Sequence, residues 1–196
     1  MAGADRKAEI RKRAAEVFAE QGYDAASIRD VARAAGLSLA GLYYYYQGKD
    51  AILFEIQHEA FRTLLEQHAE ALAGVKEPQQ KLRRVIDAHL AFFAGNIAEM
   101  KVMARESEQL TGKFAEKVGE QRRRYVRLVR GILDEIATHH PLRDVPVPVA
   151  VFLLFGMMNW LYTWYDPERD GSPERLANAV HRIFLHGLLG GGRAPE

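Results

Sequence analysis

The stretch Ser27-Ile28-Arg29-Asp30-Val31-Ala32-Arg33-Ala34-Ala35-Gly36-Leu37-Ser38-Leu39-Ala40-Gly41-Leu42-Tyr43-Tyr44-Tyr45-Tyr46 decides how this chain is read. Ser27 is a good helix N-cap, and Asp30, three residues on, places a carboxylate in the first turn. Ile28, Val31, Ala32 and Ala35 form one inward face, and Gly36 ends the segment. Ser38 caps a second short helix, Leu39 to Tyr46. Ser27–Ala35, the turn Gly36-Leu37 and Ser38–Tyr46 have the lengths of a helix-turn-helix. In that motif the first helix braces the second, which enters the DNA major groove N-terminus first. Ala32, Ala34, Ala35 and Ala40 are small enough for close helix approach. An ordinary helical hairpin has the same periodicity, so the pattern alone leaves both open.

Outward from this segment the chain reads as helix almost throughout. Upstream, Ile10, Ala14, Val17, Phe18 and Gln21 follow an i, i+4, i+7, i+8 stripe over Asp5–Gln21, and Gly22 stands where a left-handed cap is wanted. Residues 6–13 set Arg6, Lys7, Arg11, Lys12 and Arg13 against Glu9, a locally basic start. Downstream, a helix is expected over 49–73 with Ile52, Leu53, Ile56, Ala60, Phe61 and Leu64 on its apolar face. Further helices are expected over 78–95, 97–110, 112–138, 146–166 and 173–190. The breaks are Pro78, Gly95-Asn96, Thr111-Gly112, His139-His140-Pro141 and the turn from Asp166-Pro167 to Gly171-Ser172-Pro173. Gly190–Glu196 reads as a frayed tail. No stretch alternates as a strand would. The expected fold class is all-α, with an N-terminal three-helix helix-turn-helix head over 1–48 and a larger helical ligand-binding and dimerisation body over 49–196.

Composition narrows the function. The 196 residues are 48% hydrophobic and 27% charged, which gives a sizeable core and excludes wholesale disorder. A net charge of +1 does not by itself announce a nucleic-acid partner. The absence of cysteine excludes disulfides, thiolate metal sites and thiol nucleophiles, and it fits a reducing compartment. The N-terminus has no apolar run of the signal-peptide kind, so a cytoplasmic location is expected. Val149–Tyr165 is mostly apolar, but it is short for a span of about 20 residues and carries Asn159. It reads as a buried or interface helix, and no membrane partner is expected. The carboxylates Glu99, Glu106 and Glu108 and the histidines His89, His139, His140, His181 and His186 form no His-Glu-x-x-His pair, and there is no nucleophile elbow. Neither an enzyme nor a cofactor or metal is expected. An architectural DNA-binding protein would need a larger basic excess and has no use for so large a body.

The segment Gly22-Tyr23…Ser27-Ile28-Arg29-Asp30-Val31-Ala32-Arg33-Ala34-Ala35-Gly36-Leu37-Ser38…Gly41-Leu42-Tyr43…Lys49-Asp50-Ala51-Ile52-Leu53 resembles the signature of the TetR family of bacterial repressors. The resemblance implies a transcriptional repressor that binds a double-stranded DNA operator as a homodimer and is released by a small-molecule effector. It implies that Leu42 and Tyr46, i and i+4, face the core of the head, and that Tyr43, Tyr45 and Lys49 reach DNA phosphates, which fix register without reading sequence. Tyr44 fans out beside them, and Ser27 caps the first helix of the motif at the same surface. The start of the recognition helix, Ser38, Leu39, Ala40 and Gly41, has no side chain for a bidentate base contact. Sequence choice there rests on thymine methyls, backbone approach or DNA shape. Arg29 matches a position that contacts a base in some relatives; a phosphate contact or an intramolecular ion pair is the alternative. Gly48 stands where relatives commonly have a capping residue, and Tyr46 where Phe is usual.

In the body, Val149, Phe152, Leu153, Phe155, Met157, Trp160, Leu161 and Trp164 are apolar on too many sides for a wetted helix. With Leu176, Val180, Ile183, Phe184, Leu188 and Leu189 they are the expected four-helix dimer interface. Phe92, Phe93, Ile97, Met100, Met103, Phe155, Met158 and Asn159 are candidate effector-lining residues, with core packing as the plainer alternative. The segments Met158–Pro167 and Ser172–Leu188 resemble a TetR subset responsive to acyl-CoA thioesters. That implies an acyl-CoA effector, with Arg105, Lys113, Lys117 and Arg122-Arg123-Arg124 as phosphate partners; the arginine run also reads as a solvated face paired with Glu116 and Glu120. A repressor of a drug-efflux or stress gene, induced by a hydrophobic or aromatic compound, is the other reading. An effector wedged among the middle helices would move the helix that begins at Lys49 and spoil the spacing of the heads.

Overall fold

The computed structural model describes residues 2–140, 142 and 145–189; Pro141 and the tail Gly190–Glu196 lie outside the described residues. Among those described there are α-helices and one 3-10 turn, and no strand. In chain order the helices are α1 (Ala2–Gln21), α2 (Ile28–Ala34), α3 (Leu39–Tyr45), α4 (Lys49–Leu72), α5 (Pro78–Gly95), α6 (Ile97–Arg105), α7 (Gly112–His139), α8 (Val147–Asn159), α9 (Pro167–Asp170) and α10 (Pro173–Leu189). The 3-10 turn, Trp160–Thr163, follows α8. The all-α class holds.

α1 begins at Ala2 rather than Asp5, and three further boundaries differ from the sequence expectation for a visible reason. α6 stops at Arg105 rather than 110, because Glu106 leaves the helix and its carboxylate accepts the Tyr23 N–H at 3.2 Å. α8 stops at Asn159 rather than 166. The next residues tighten into the 3-10 turn, where the Thr163 hydroxyl donates to the Trp160 carbonyl at 2.7 Å. Asp166, held extended before Pro167, then caps α9 by accepting the Glu168 N–H at 2.9 Å, where a plain turn was expected.

The chain groups into two compact units. The first comprises the described residues of Met1–Arg62 and Asn96–Gln121, the second those of Thr63–Gly95 and Arg122–Glu196. In the first, the stripe of α1 is buried as its period requires: Ile10, Ala14, Val17 and Phe18 are in the core, while Gln21 is exposed. Val31, Ala32, Leu42 and Tyr46 meet that stripe, and Ile52, Leu53 and Ile56 of α4 close it from below. Each fully buried Leu or Ile of this kind contributes about 1.5–3 kcal/mol of transfer free energy. Val102 of α6, Leu110 between α6 and α7, and Val118 of α7 belong to the same cluster. The core of this unit therefore extends well past the three helices of the motif.

In the second unit α10 packs on α5 and α8. Leu82, Ile86 and Leu90 of α5, Leu133 of α7, Leu154 and Met158 of α8, and Val180, Phe184 and Leu188 of α10 are buried. Among the described residues no helix is long and apolar enough to cross a membrane.

Candidate functional site

The helix-turn-helix is held by reciprocal caps. The Ser27 hydroxyl accepts the Asp30 N–H at 3.2 Å, and the Asp30 carboxylate accepts the Ser27 N–H at 3.0 Å. The Ser27 hydroxyl bond, backed by Arg33, holds the Asp30 carboxyl below the usual carboxylate range. At the turn Gly36 takes φ +62, a left-handed conformation natural to glycine, and Leu37 N–H then reaches back to Ala32 O at 2.9 Å. Ser38 caps α3 by accepting the Gly41 N–H at 3.1 Å. A Cβ on Gly41 would stand 3.3 Å from the Ser38 hydroxyl oxygen and 3.6 Å from Leu37 Cδ2, so glycine keeps the start of α3 close to its turn.

These caps decide what is left facing outward. Ser27, Arg29, Ser38, Ala40, Tyr43 and Tyr44 are exposed, Tyr44 at 83%, while Leu39, Gly41, Tyr45 and Lys49 are half-buried. Leu42 and Tyr46 are buried, as their i, i+4 spacing predicts. The Tyr46 hydroxyl reaches Lys7 O at a long 3.4 Å, and burial pushes its pKa up. Tyr45 packs against the head core and meets Tyr44 edge to face at 5.1 Å. Arg29 has no ion pair or hydrogen bond among the described residues. Its intramolecular alternative is therefore not seen.

Lys49 does more than its expected phosphate role. Its ammonium donates to the carbonyls of Tyr23 at 2.6 Å, Asp24 at 3.3 Å and Ala26 at 3.0 Å, and lies 4.3 Å from the centre of the Tyr23 ring. It staples the loop between α1 and α2, and a phosphate contact would have to share or replace one of these bonds. The basic start is also largely committed: Arg6 pairs with Glu9, Lys7 with Glu55 at 3.1 Å, Arg11 with Glu59 at 3.8 Å and Arg13 with Glu16 at 2.9 Å.

Sequence reasoning passed over a buried network in this unit. Glu106 accepts Tyr23 N–H through its carboxylate, and its backbone carbonyl accepts from the buried Gln57 amide at 2.8 Å. The Tyr23 hydroxyl donates to Asp50. The end of α6, the α1–α2 loop and α4 are thus joined by polar bonds. A Gln on the inward stripe of α4, beside Leu53, Ile56 and Ala60, was the available signal.

The effector candidates fall in both units. Phe92, Phe93, Phe155 and Met158 are buried in the second, where Asn159 is exposed at the end of α8. Met100, buried, and Met103, half-buried, belong to the first. Arg105, Lys113 and Lys117 are exposed in the first unit; Arg122, Arg123 and Arg124 are exposed in the second and make no ion pair with Glu116 or Glu120. Lys117 sits 5.9 Å over the Phe54 ring, itself stacked on Phe114.

The second unit also holds a chain of buried polar rings. His68 Nδ1 lies 2.5 Å from Leu64 O, its Nε2 is 3.3 Å from the Tyr125 hydroxyl, and that hydroxyl is 2.8 Å from His89 Nδ1. Burial, then the neighbouring His68, lowers the His89 pKa to about 3, against a small opposing pull from the Asn159 side chain. Burial lowers that of His68 also. Among the described residues no group of three or more His, Cys, Asp or Glu could hold a metal.

The apolar face of α8 divides. Phe155, Leu161, Val180, Phe184 and Leu188 are buried within the unit, whereas Val149, Phe152, Leu153, Trp160, Trp164 and Ile183 are exposed, Phe152 and Ile183 each at 65%. Apart from Tyr43 and Tyr44, these are all the exposed large hydrophobic side chains among the described residues.

Comparison with known proteins agrees with this geometry. Residues 10–56 match the family described as bacterial regulatory proteins, tetR family, and residues 75–188 match the tetracyclin repressor-like C-terminal domain. The chain is 25% identical over 177 residues to the fatty acid metabolism regulator protein of Bacillus subtilis, covering 89% of this chain and 91% of that one. It is 33% identical to the TetR family regulator PfmR of Thermus thermophilus, at a TM-score of 0.81 over 91% of this chain and 97% of that structure. A structure of AibR in complex with isovaleryl coenzyme A and operator DNA, 24% identical, shares the fold at a TM-score of 0.82 over 91% of this chain and 97% of that one. Capped helix-turn-helix, helical body and matches along both lead to one conclusion: this chain belongs to the TetR family of bacterial regulatory proteins, as a DNA-binding transcriptional repressor with a ligand-binding C-terminal domain.

Proposed function

We propose that the protein is a cytoplasmic repressor that binds a palindromic operator as a homodimer and leaves it when an acyl-CoA thioester occupies the body. The observation that carries this reading is the doubly capped helix-turn-helix, which leaves Arg29, Ser38, Ala40, Tyr43 and Tyr44 outside. Residues 1–48 read the DNA; residues 49–196 hold the effector and the second copy. Arg29 reads a base, and Tyr43, Tyr44, Tyr45 and Lys49 hold phosphates, with Ser27 fixing α2 at the surface. Leu39, Ala40 and Gly41 supply only apolar contact and close backbone approach, so DNA shape bears much of the selectivity.

The exposed Phe152, Leu153, Trp160, Trp164 and Ile183 support a dimer through α8 and α10, since so many large apolar side chains on one short stretch mark an interface. Phe92, Phe93, Phe155, Met158 and Asn159 are the effector-lining candidates of the second unit and Met100 and Met103 those of the first, and Arg122, Arg123 and Arg124, which make no ion pair among the described residues, suit CoA phosphates. The name of the Bacillus relative and the isovaleryl-CoA bound by AibR support a thioester effector. Displacement of α6 would reach the head through Glu106, which holds Tyr23 and Gln57.

The test is selection of genomic fragments by the purified protein, followed by band-shift titration. One palindromic site, bound as a dimer and released by medium-chain acyl-CoA but not by coenzyme A alone, is the expected result. Binding no tighter than to random DNA overturns the repressor reading; specific binding indifferent to every thioester overturns the effector.

A further inference from the structure

The buried ring chain of the second unit ends on an atom with nothing to bond. His89 is 1% exposed, stacks on Tyr125 at 5.9 Å and lies 4.6 Å from Phe93 and 6.5 Å from Phe155. Its Nδ1 is engaged by Tyr125, but its Nε2 has no hydrogen-bond partner. Asn159 is the neighbouring polar side chain; it exerts a hydrogen-bond pull on the ring but makes no bond of ordinary geometry with Nε2, and it is exposed, so the nitrogen lies beneath a residue that opens to the surface. A buried polar atom left unpaired costs about 1–3 kcal/mol, which a fold does not tolerate without reason.

The proton positions along the chain follow from its far end. A neutral imidazole has one donor and one acceptor nitrogen. His68 Nδ1 sits 2.5 Å from the Leu64 carbonyl oxygen, so the proton is there, since two lone pairs at that distance would repel. His68 Nε2 is then an acceptor, and the partner able to donate to it is the Tyr125 hydroxyl; the Val85 carbonyl at 3.2 Å cannot. With its proton spent, the Tyr125 oxygen accepts from His89 Nδ1–H. His89 Nε2 therefore presents a lone pair.

We infer that His89 Nε2 is a hydrogen-bond acceptor that selects effectors carrying a donor, a hydroxyl above all, on an otherwise apolar body seated against Phe93, Phe155 and Asn159. Tyr125 is a positioning residue: it fixes the tautomer of His89 without touching the effector. This inference rests on the proposed effector function of the body, and within the acyl-CoA reading it names a hydroxylated acyl group over a saturated one.

The experiment is calorimetric titration of the full-length protein with matched pairs of medium-chain acyl-CoAs, with and without a hydroxyl at C3 or at the chain end. The corresponding free acids and a phenol-bearing acid are run beside them. The expected result is at least about tenfold tighter binding of one hydroxylated member than of its saturated counterpart. His89→Leu is expected to abolish that preference while leaving the saturated ligand bound at least as well. Tyr125→Phe keeps the ring packing but frees the His89 tautomer, and should shrink the preference to within about threefold. If His89→Leu fails to fold, Tyr125→Phe decides. A hydroxyl preference confined to free acids or phenols sinks the thioester reading and supports this one. Thioesters that bind with no hydroxyl preference, or with one that survives both substitutions, overturn this one and leave the thioester reading standing. No binding by any member of the panel overturns both.

Discussion

The two units differ in the buried polar groups they hold and in the large side chains they expose. In the first unit the buried Gln57 and Glu106 are both bonded, Oε1 of the half-buried Gln121 being left open, and the exposed large rings, Tyr43 and Tyr44, end in hydroxyls. In the second unit His89 is buried with an open nitrogen, as is Nε2 of the half-buried His181, and the exposed rings are Phe152, Trp160 and Trp164. The first unit exposes hydroxyl-tipped rings, an outer surface suited to a polar, charged partner. The second unit leaves an apolar face and a buried histidine with an open nitrogen, which the proposed second copy and effector would cover.

The largest effect that would break this contrast lies on the apolar face. The double substitution Phe152→Asp, Ile183→Asp should convert the proposed dimer to a monomer by analytical ultracentrifugation. Operator affinity should fall at least about 100-fold, because half-site recognition then loses its linked partner. Both positions are exposed in the single chain, so the melting of the monomer should change little. A double variant that stays dimeric with full affinity places the interface elsewhere.

The second test asks whether the interior of the second unit is as protonation-averse as its geometry implies. Folding lowers the pKa of His89 from 6.5 to about 3, and that of His68 in the same direction, so the unfolded chain binds more protons. Stability is then greatest above about pH 6.5 and falls as pH drops, by about 1.4 kcal/mol per unit for His89 alone until its folded pKa is reached. The groups facing this ring are Tyr125 on α7 and His68 on α4. Thermal melts between pH 7.5 and 5 avoid the carboxylate range and should show the loss. His89→Leu should flatten it; an unchanged slope would mean His89 is not the residue responsible.

In the first unit the matching test is Glu106→Ala, which strips the buried Tyr23 N–H of its partner and should cost about 1–3 kcal/mol. Glu106→Gln keeps an acceptor oxygen and should recover much of it. Equal melting of both variants and wild type would show that Glu106 does not hold the first unit together.

What the sequence made legible tracks how local the cause is. Capping residues, glycine turns and the stripes of α1 and α4 act within a few residues, so Ser27, Gly36, Ser38, Leu42 and Tyr46 all behave as their spacing implies. The early end of α6 was not legible, because Glu106 is drawn out by Tyr23, far away in the chain. The loop-stapling role of Lys49 depends on carbonyls of a loop whose path no periodicity describes. The His68–Tyr125–His89 chain joins three helices, and each ring passes in sequence as an ordinary member of an apolar stripe.

The smallest effect concerns the base-reading surface. Arg29 is exposed and makes no bond within the described residues, so Arg29→Ala should leave melting within about 0.5 kcal/mol of wild type. Operator affinity should nevertheless fall about tenfold, the lower part of the range for one bidentate guanine contact. The two possible roles separate by pattern rather than size. A base reader relaxes discrimination at one operator position and leaves binding to random DNA nearly intact, because the lost contact was never made there. A phosphate contact weakens every sequence alike and lowers the salt slope by about one ion. Band-shift titrations on the operator, on its single-position variants and on random duplex, each at two salt concentrations, distinguish them. The first pattern makes α2, not α3, the source of base recognition. The second leaves the head without a base-reading side chain and places the whole of its selectivity in DNA shape and thymine methyls.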